Sequence, residues 1–164
     1  MVRMNMSKVR VHISTSLDGY VSATKWITEI ELTTLEAFDA YWVPLGWAKE
    51  APILTQSRID LPRPNGRVSA GSVQVAGVAW APTRGISRVE VSLDEAEPWR
   101  EVELSVPLST AAWIQWRATI DAPAGEHSLR VRATDGTGET QTSERTPPAP
   151  DGARGYHSIR FTAE

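Results

Sequence analysis

The sequence predicts an all-β domain, and three features of the chain support this prediction. Downstream of residue 72, apolar and polar side chains alternate in short runs, as they do in strands with one buried face. Turn signals rich in Gly, Pro and Asp separate these runs, at residues 82–85, 94–98, 122–125 and 135–138. No helical periodicity lies between the runs, which favours an antiparallel sandwich of immunoglobulin-like type over a parallel sheet.

Seven short strands are predicted in this sandwich, at residues 72–80, 86–93, 99–106, 113–120, 127–133, 139–144 and 157–162. The chain has no cysteine, so Trp80, Trp113 and Trp116 are predicted to supply much of the core in place of an inter-sheet disulfide. Trp113 and Trp116 are three positions apart and cannot both face inward on one regular strand. One of them is therefore expected at an edge or interface, unless a bulge intervenes.

The first third of the chain has a different pattern, which predicts a short α+β appendage. Residues 8–14 and 26–33 are predicted strands, and residues 35–41 are a predicted helix with Thr34 as its N-cap. Pro44 and Gly46 end this helix, and a linker rich in Pro and Gly ends near Gly66. The predicted organisation is an N-terminal appendage of residues 1–66 and an immunoglobulin-like domain of residues 67–164.

Composition excludes several classes of function. The chain has 164 residues, 41% of them hydrophobic, which is enough for one core and a short appendage. The net charge is −3 and the basic residues are spread along the chain, so nucleic acid is not an expected partner. No apolar run approaches the length of about 20 residues that crosses a bilayer. Without cysteine, and with three histidines that lack ligand spacing, the chain is expected to bind no metal.

Pieces of the chain, taken in order, resemble the C-terminal part of sulfite-oxidase-type molybdopterin-dependent oxidoreductases over residues 19–164. The pieces are residues 19–26, 41–42 with 46–47, 55–60, 77–80, 86–93, 132–135 and 155–158. The resemblance implies an immunoglobulin-like dimerisation domain. In that family a separate catalytic domain supplies a cysteine ligand to the metal, so this cysteine-free chain is expected to lack the catalytic domain. Residues 8–21 resemble instead the start of the dihydrofolate-reductase-like reductases of the riboflavin pathway.

The same resemblance assigns roles to individual residues. Ala23, Thr24 and Lys25 correspond to positions that contact the pterin cofactor, and with most of that pocket missing they are expected to be vestigial. No cofactor is therefore expected in this chain, although molybdopterin serves the parent family. Arg154 lies near the place from which family enzymes bring an arginine towards an anionic substrate, and an exposed loop arginine is the simpler interpretation.

Two groups of residues are predicted to form interfaces. Arg58 and Asp60 are expected either to pair across a domain or subunit boundary or to be polar residues of an edge strand. A cluster of aromatic residues lies in the part that would pack on a catalytic domain, and we expect a second copy or an N-terminal strand to cover it. The cluster consists of Trp26, Tyr41, Trp42 and Trp47.

Other reactive-looking groups are expected to be structural. His157 beside Ser158 comes without the Gly-x-Ser-x-Gly sequence of a nucleophile elbow. The acidic turns at residues 94–97 and 135–138 do not follow a calcium-binding loop pattern and are predicted to be solvated hairpin tips.

Three functions remain open from the sequence. The leading hypothesis is a non-catalytic dimerisation module that forms a homodimer. The second is an accessory part of a molybdopterin-dependent oxidoreductase that a separate catalytic chain completes. The third is a free immunoglobulin-like binding module, which exposure of Trp113 or Trp116 would favour.

Overall fold

The computed structural model describes residues 36–50, 52–95 and 98–164. The chain divides into two compact units, Met1–Lys49 and Glu50–Glu164. The described strands all belong to the second unit and are β1 Gln56–Leu61, β2 Gly66–Val68, β3 Gly71–Trp80, β4 Ile86–Leu93, β5 Arg100–Glu101, β6 Glu103–Leu104, β7 Ile114–Ala122, β8 Gly125–Asp135 and β9 His157–Ala163. None of the described residues is helical, so within these ranges no helix could cross a membrane.

The strands form two sheets, which confirms the predicted all-β sandwich. The first sheet has the order β1-β3-β7-β6, and the second has the order β2-β9-β8-β4-β5. All pairings are antiparallel except that of β2 with β9, which is parallel. Each sheet thus turns one face inward, and the core lies between them.

The core follows directly from the period-two pattern. On β3 the side chains of Val73 and Val75 point inward, and on β8 those of Leu129 and Val131 do the same. Each such buried side chain contributes roughly 1.5–3 kcal/mol of hydrophobic stabilisation. Trp116 lies among them, 2% exposed, and is the largest side chain of the core.

Gly77 on β3 makes room for Trp116 in the neighbouring strand. The two residues are cross-strand partners, and a Cβ atom added at Gly77 would lie 2.7 Å from the Trp116 ring and would also meet the Arg58 carbonyl. Packing of the indole against the sheet therefore requires a residue without a side chain at this position.

Five of the seven predicted sandwich strands form close to their predicted ranges, as β3, β4, β7, β8 and β9. The single strand predicted at residues 99–106 is wrong: it is two short strands, β5 pairing with β4 and β6 pairing with β7. Between them Val102 is buried and its amide donates to the Val89 carbonyl. The chain crosses from one sheet to the other at this residue.

The strand predicted at residues 139–144 is also wrong. Only Thr140 forms a bridge, to Thr134. The next residue, Gln141, uses its side-chain oxygen to accept from the Ala133 amide at 2.9 Å. A side chain thus replaces the backbone partner that a continuing ladder would need.

The helix predicted at residues 35–41 is wrong where the structure describes it, because residues 36–37 and 41–46 form turns and residues 38–40 have no regular structure. Tyr41 and Trp42, which the helix would have carried at or next to its end, are 71% and 58% exposed. A helix of two turns is marginal without tertiary packing. The predicted strands at residues 8–14 and 26–33 lie outside the described residues.

Strand β1 belongs to the sandwich although it precedes residue 67, the predicted start of the domain. Ile59 on β1 is buried in the core, and the compact unit begins at Glu50. The sandwich therefore starts earlier than the predicted boundary. An edge strand around Arg58 and Asp60 was one of two expectations for β1, whereas β2 was not predicted. With three residues and no buried side chain, β2 shows too little alternation to be detected.

One backbone group on the outer edge of β1 is bonded to the second sheet. The Ile59 amide, on the side away from β3, donates to Nδ1 of His157 on β9 at 3.1 Å. This bond satisfies a donor that an open edge would present to solvent. The buried Ser57 side chain is tied to a neighbouring loop, because its Oγ donates to Gln141 Oε1 at 2.6 Å.

Candidate functional site

A cavity among the described residues opens at one end of the sandwich and has a volume of about 810 Å³. Its walls are the segments at residues 52–57, 139–142 and 151–157, together with Arg84. The segment at residues 52–57 leads into β1, and the one at 151–157 leads into β9. The cavity is therefore formed by loops held in place by strands of both sheets.

An ion pair anchors one side of this cavity. Arg84 Nε lies 2.8 Å from Oδ2 of Asp135, whose side chain is completely buried. Thr55 Oγ1 donates to the same oxygen at 2.9 Å, and Thr137 donates to Oδ1 through its hydroxyl and its amide. Burial alone would raise the pKa of Asp135, but the hydrogen bonds from Thr137, Arg84 and Thr55 outweigh it and hold the pKa well below its usual range.

The predicted solvated hairpin tip at residues 135–138 is thus wrong for Asp135. Its carboxylate is the buried centre of a network that ties the β8 end to Arg84 and Thr55. Desolvating a carboxylate is costly unless it is paired and hydrogen-bonded, which explains why so many donors converge on it. Within the described ranges, no group of three or more His, Asp or Glu side chains is arranged to hold a metal ion.

Arg154 lies on the wall of the cavity. Its Nη2 atom lies 3.0 Å from Asp151 Oδ2, and its amide donates to Thr146 Oγ1 at 3.1 Å. The guanidinium is exposed and paired within its own loop, as the simpler interpretation of this residue expected. A substrate role for Arg154 stays a prediction.

His157 lines the cavity and is held in one tautomer. Because Nδ1 accepts from the Ile59 amide, the ring proton of the neutral form lies on Nε2. Burial, with the positive charge of Arg58 nearby, lowers the pKa of His157. The geometry makes this histidine a structural acceptor of a backbone hydrogen bond.

The first unit contains three of the predicted interface aromatics, and all three are exposed: Tyr41, Trp42 and Trp47. The rings of Tyr41 and Trp42 meet edge to face, with centroids 5.0 Å apart. Trp26 and the predicted cofactor residues Ala23, Thr24 and Lys25 lie outside the described residues.

Arg58 and Asp60, the predicted interface pair on β1, form a salt bridge with each other within one chain. Arg58 Nε lies 2.7 Å from Asp60 Oδ1, and both side chains face outward from the first sheet. The Arg58 guanidinium also lies over the ring of Trp113, 5.6 Å from its centroid, within the range of a cation–π interaction.

The outer face of the first sheet carries three apolar side chains and one guanidinium group, which together we call the aromatic patch: Arg58, Val78, Trp80 and Trp113. The Trp80 and Trp113 rings lie 5.9 Å apart, and the Trp80 indole N–H donates to the Ala111 carbonyl at 2.9 Å. Trp113 is 52% exposed.

The expectation that one of Trp113 and Trp116 would lie outside the core is confirmed. The prediction that Trp80 and Trp113 supply the core is wrong. The sequence did contain the signal for Trp80, because the alternation in β3 places it in phase with exposed Ser72 and Gln74.

The outer face of the second sheet also carries a tryptophan, but its own chain covers it. The Arg132 and Arg130 guanidinium groups lie 4.3 and 5.2 Å from the Trp99 ring centroid, and Tyr156 meets the ring edge to face. Arg132 also forms two hydrogen bonds to Glu90, at 2.9 and 3.2 Å. The sequence analysis missed this cluster, whose members come from four separate segments.

The two-sheet fold is that of an immunoglobulin-like sandwich. The family described as the Mo-co oxidoreductase dimerisation domain matches residues 51–147. The chain belongs to this family, and the resemblance to a sulfite-oxidase-type dimerisation domain is confirmed.

Similar proteins agree with this assignment. The mitochondrial sulfite oxidases of Mus musculus and Rattus norvegicus are each 32% identical over 106 residues, which is 60% of this chain and 19% of theirs. The chain thus spans about a fifth of the length of these relatives. The sulfane dehydrogenase SoxCD from Paracoccus pantotrophus has a similar structure, with a TM-score of 0.55 and 26% identity, over 67% of this chain and 32% of that one.

Proposed function

We propose that this chain is a non-catalytic dimerisation module that pairs with a second copy of itself. Membership of the dimerisation-domain family supports the proposal. The observation that carries it in this molecule is the aromatic patch, where Trp113 is half exposed beside Trp80 and beneath Arg58. Tryptophan and arginine are enriched among the residues that dominate binding energy in protein interfaces.

Sedimentation equilibrium over a hundredfold range of protein concentration tests this proposal. The expected result is a reversible monomer–dimer equilibrium. Elemental mass spectrometry of the same protein sample is expected to detect no molybdenum. A monomer at every concentration would contradict dimerisation. Stoichiometric molybdenum in the purified chain would overturn the non-catalytic assignment.

A second candidate function is supported by the cavity. An accessory role in a molybdopterin-dependent oxidoreductase requires this chain to offer residues to a separate catalytic chain. Arg154 is exposed on the wall of an open cavity of about 810 Å³, at the position that the family resemblance associates with an anionic substrate. Copurification with a cysteine-containing molybdopterin protein, lost in an Arg154→Ala variant, would favour this function.

A third candidate, a free binding module, shares one observation with the first. Exposure of Trp113 would serve a foreign partner as well as a second copy. The oligomeric state separates these two functions, because a free module remains monomeric at high concentration.

A further inference from the structure

We infer that the aromatic patch, Arg58, Val78, Trp80 and Trp113, is the surface through which two copies of this domain meet. The inference rests on the proposed dimerisation and names the surface that performs it.

The edges of the two sheets are poorly suited to pairing between copies. The outer edge of β1 is covered at Ile59, whose amide is bonded to His157. The other described edge strands are short: β2 has three residues, and β5 and β6 have two each. Strand addition needs a run of free backbone groups, so the faces of the sheets are the better candidates.

On the outer face of the second sheet, the aromatic and charged groups already contact one another within the chain. Trp99 is flanked by Arg130, Arg132 and Tyr156, and Glu90 is 9% exposed beneath Arg132. A partner on this face would have to break contacts that the chain makes with itself.

The outer face of the first sheet divides into two halves. Away from the patch, the polar half is internally satisfied: Gln74 bonds to Thr119, and Arg117 forms two bonds to Glu103. The patch itself combines the Arg58 guanidinium with the half-exposed Trp113 and the partly exposed Val78 and Trp80. Burying it leaves no new unsatisfied donor on Trp80, because the indole N–H already donates to the Ala111 carbonyl.

The charges beside the patch fit a second copy. In a two-fold symmetric dimer the same surface meets itself, so it must be self-complementary. Arg58 and Asp60 have opposite charges and both face outward from one strand. A two-fold axis near Ile59 therefore brings Arg58 of one copy to Asp60 of the other, and the pair within each chain is exchanged for two pairs between chains.

The test measures the dimer dissociation constant of the full chain in three variants. Trp113→Ala and Arg58→Glu are expected to raise it about tenfold or more, as loss of an interface hot spot does. Arg117→Ala, on the polar half of the same face, is the matched control and is expected to change it by less than about threefold. Circular dichroism and thermal unfolding establish that each variant is folded.

A mixing experiment tests the exchange of charges. Arg58→Asp and Asp60→Arg each place like charges at both inter-chain pairs, so each variant alone is expected to dimerise weakly. An equimolar mixture places opposite charges at both pairs, and a heterodimer of near wild-type affinity is expected.

The outcomes separate the inferred surface from the proposed function. Wild-type affinity in Trp113→Ala and Arg58→Glu would show that another surface mediates dimerisation, and the proposed function would stand. Failure of the mixture to form a heterodimer would overturn the pairing of Arg58 with Asp60 across the axis. A wild-type chain that stays monomeric would remove both the function and its surface.

Discussion

The two outer faces of the sandwich each carry tryptophan and arginine, yet they use them differently. On the second sheet, Trp99 is enclosed by two guanidinium groups and a tyrosine ring of its own chain. On the first sheet, Trp113 is half exposed and has one guanidinium group above it, at 5.6 Å. The same residue types therefore pack against their own chain on the second sheet and are partly exposed to solvent on the first.

The difference shows that residue type alone does not identify an interaction surface. What matters is whether the chain itself satisfies the aromatic and charged groups. On the second sheet the contacts contribute to the stability of the single chain, and on the first sheet a partner would complete them. Substitutions in the two sheets test which contacts stabilise the single chain, beginning with the one of largest expected effect.

Gly77→Ala is expected to destabilise the domain by about 3 kcal/mol or more, because the added methyl group would overlap the Trp116 ring and the Arg58 carbonyl. Urea denaturation followed by tryptophan fluorescence measures the change. Gln74→Ala, exposed on the same strand, is the control and should change stability by less than about 0.5 kcal/mol. Equal stability of Gly77→Ala and the wild type would show that Trp116 does not pack against this glycine.

Arg132→Ala is expected to cost about 2–3 kcal/mol, because it leaves the buried Glu90 with only the longer contact from Arg88, at 3.4 Å. The matched variant Arg117→Ala breaks an exposed, solvent-screened pair with Glu103 and should leave the stability close to that of the wild type. Both values come from denaturant titration. Equal losses of stability in Arg132→Ala and Arg117→Ala would contradict the distinction between the outer face of the second sheet and that of the first.

Trp99→Ala is expected to lower stability by about 2 kcal/mol, whereas Trp113→Ala is expected to lower it by less than about 1 kcal/mol. Trp99 is only partly exposed and contacts three side chains of its own chain, whereas about half of the Trp113 side chain faces solvent. Unfolding is measured at a protein concentration where the chain is monomeric. A larger loss for Trp113→Ala would reverse the comparison.

The smallest effect is a pH dependence carried by two histidines of the second sheet. The Pro123 carbonyl and then the Asp94 carboxylate, 2.6 and 2.7 Å from the ring nitrogens, raise the pKa of His127. The stabilisation from His127 is therefore complete below its unfolded pKa of about 6.5 and is lost as the pH rises through the higher folded pKa. The free-energy difference between the wild type and His127→Gln should shrink over that range.

His157 should show the opposite slope. Burial and the charge of Arg58 lower its pKa, so its stabilisation is present above about pH 6.5 and is lost as the pH falls below that value. Urea titrations at several pH values on His157→Asn measure this slope. Parallel pH profiles for His127→Gln and His157→Asn would contradict both assignments.

The sequence predicted the long strands well and the short ones poorly. Alternation of apolar and polar residue types over eight or more residues located β3 and β4. In β3 the buried positions follow this alternation, whereas in β4 the intervening Glu90 and Ser92 are buried as well. The two-residue strands β5 and β6 have no period to detect, and they pair in different sheets. A pattern of hydrophobicity also cannot show where a side chain takes the place of a backbone hydrogen-bond partner, as the Gln141 side chain does.

The same limit applies to the functional residues: local patterns carry information about some of them, and contacts between distant segments leave no such pattern. Trp80 was wrongly predicted in the core, although the alternation in β3 puts it in phase with exposed residues. The loop pairing of Arg154 with Asp151 joins residues only three positions apart. The Arg84–Asp135 pair and the enclosure of Trp99 join distant segments. Each of their members looked like an ordinary turn or surface residue, because only the tertiary fold brings them together.

The hydrogen bond from the Ile59 amide to His157 bears on how this protein behaves at high concentration. An unprotected strand at the margin of a sheet offers a template for open-ended stacking into fibrils. With the imidazole of His157 on that amide, one backbone donor at this margin already has a partner within its own chain. A strand from another molecule would have to displace the imidazole before it could pair with Ile59.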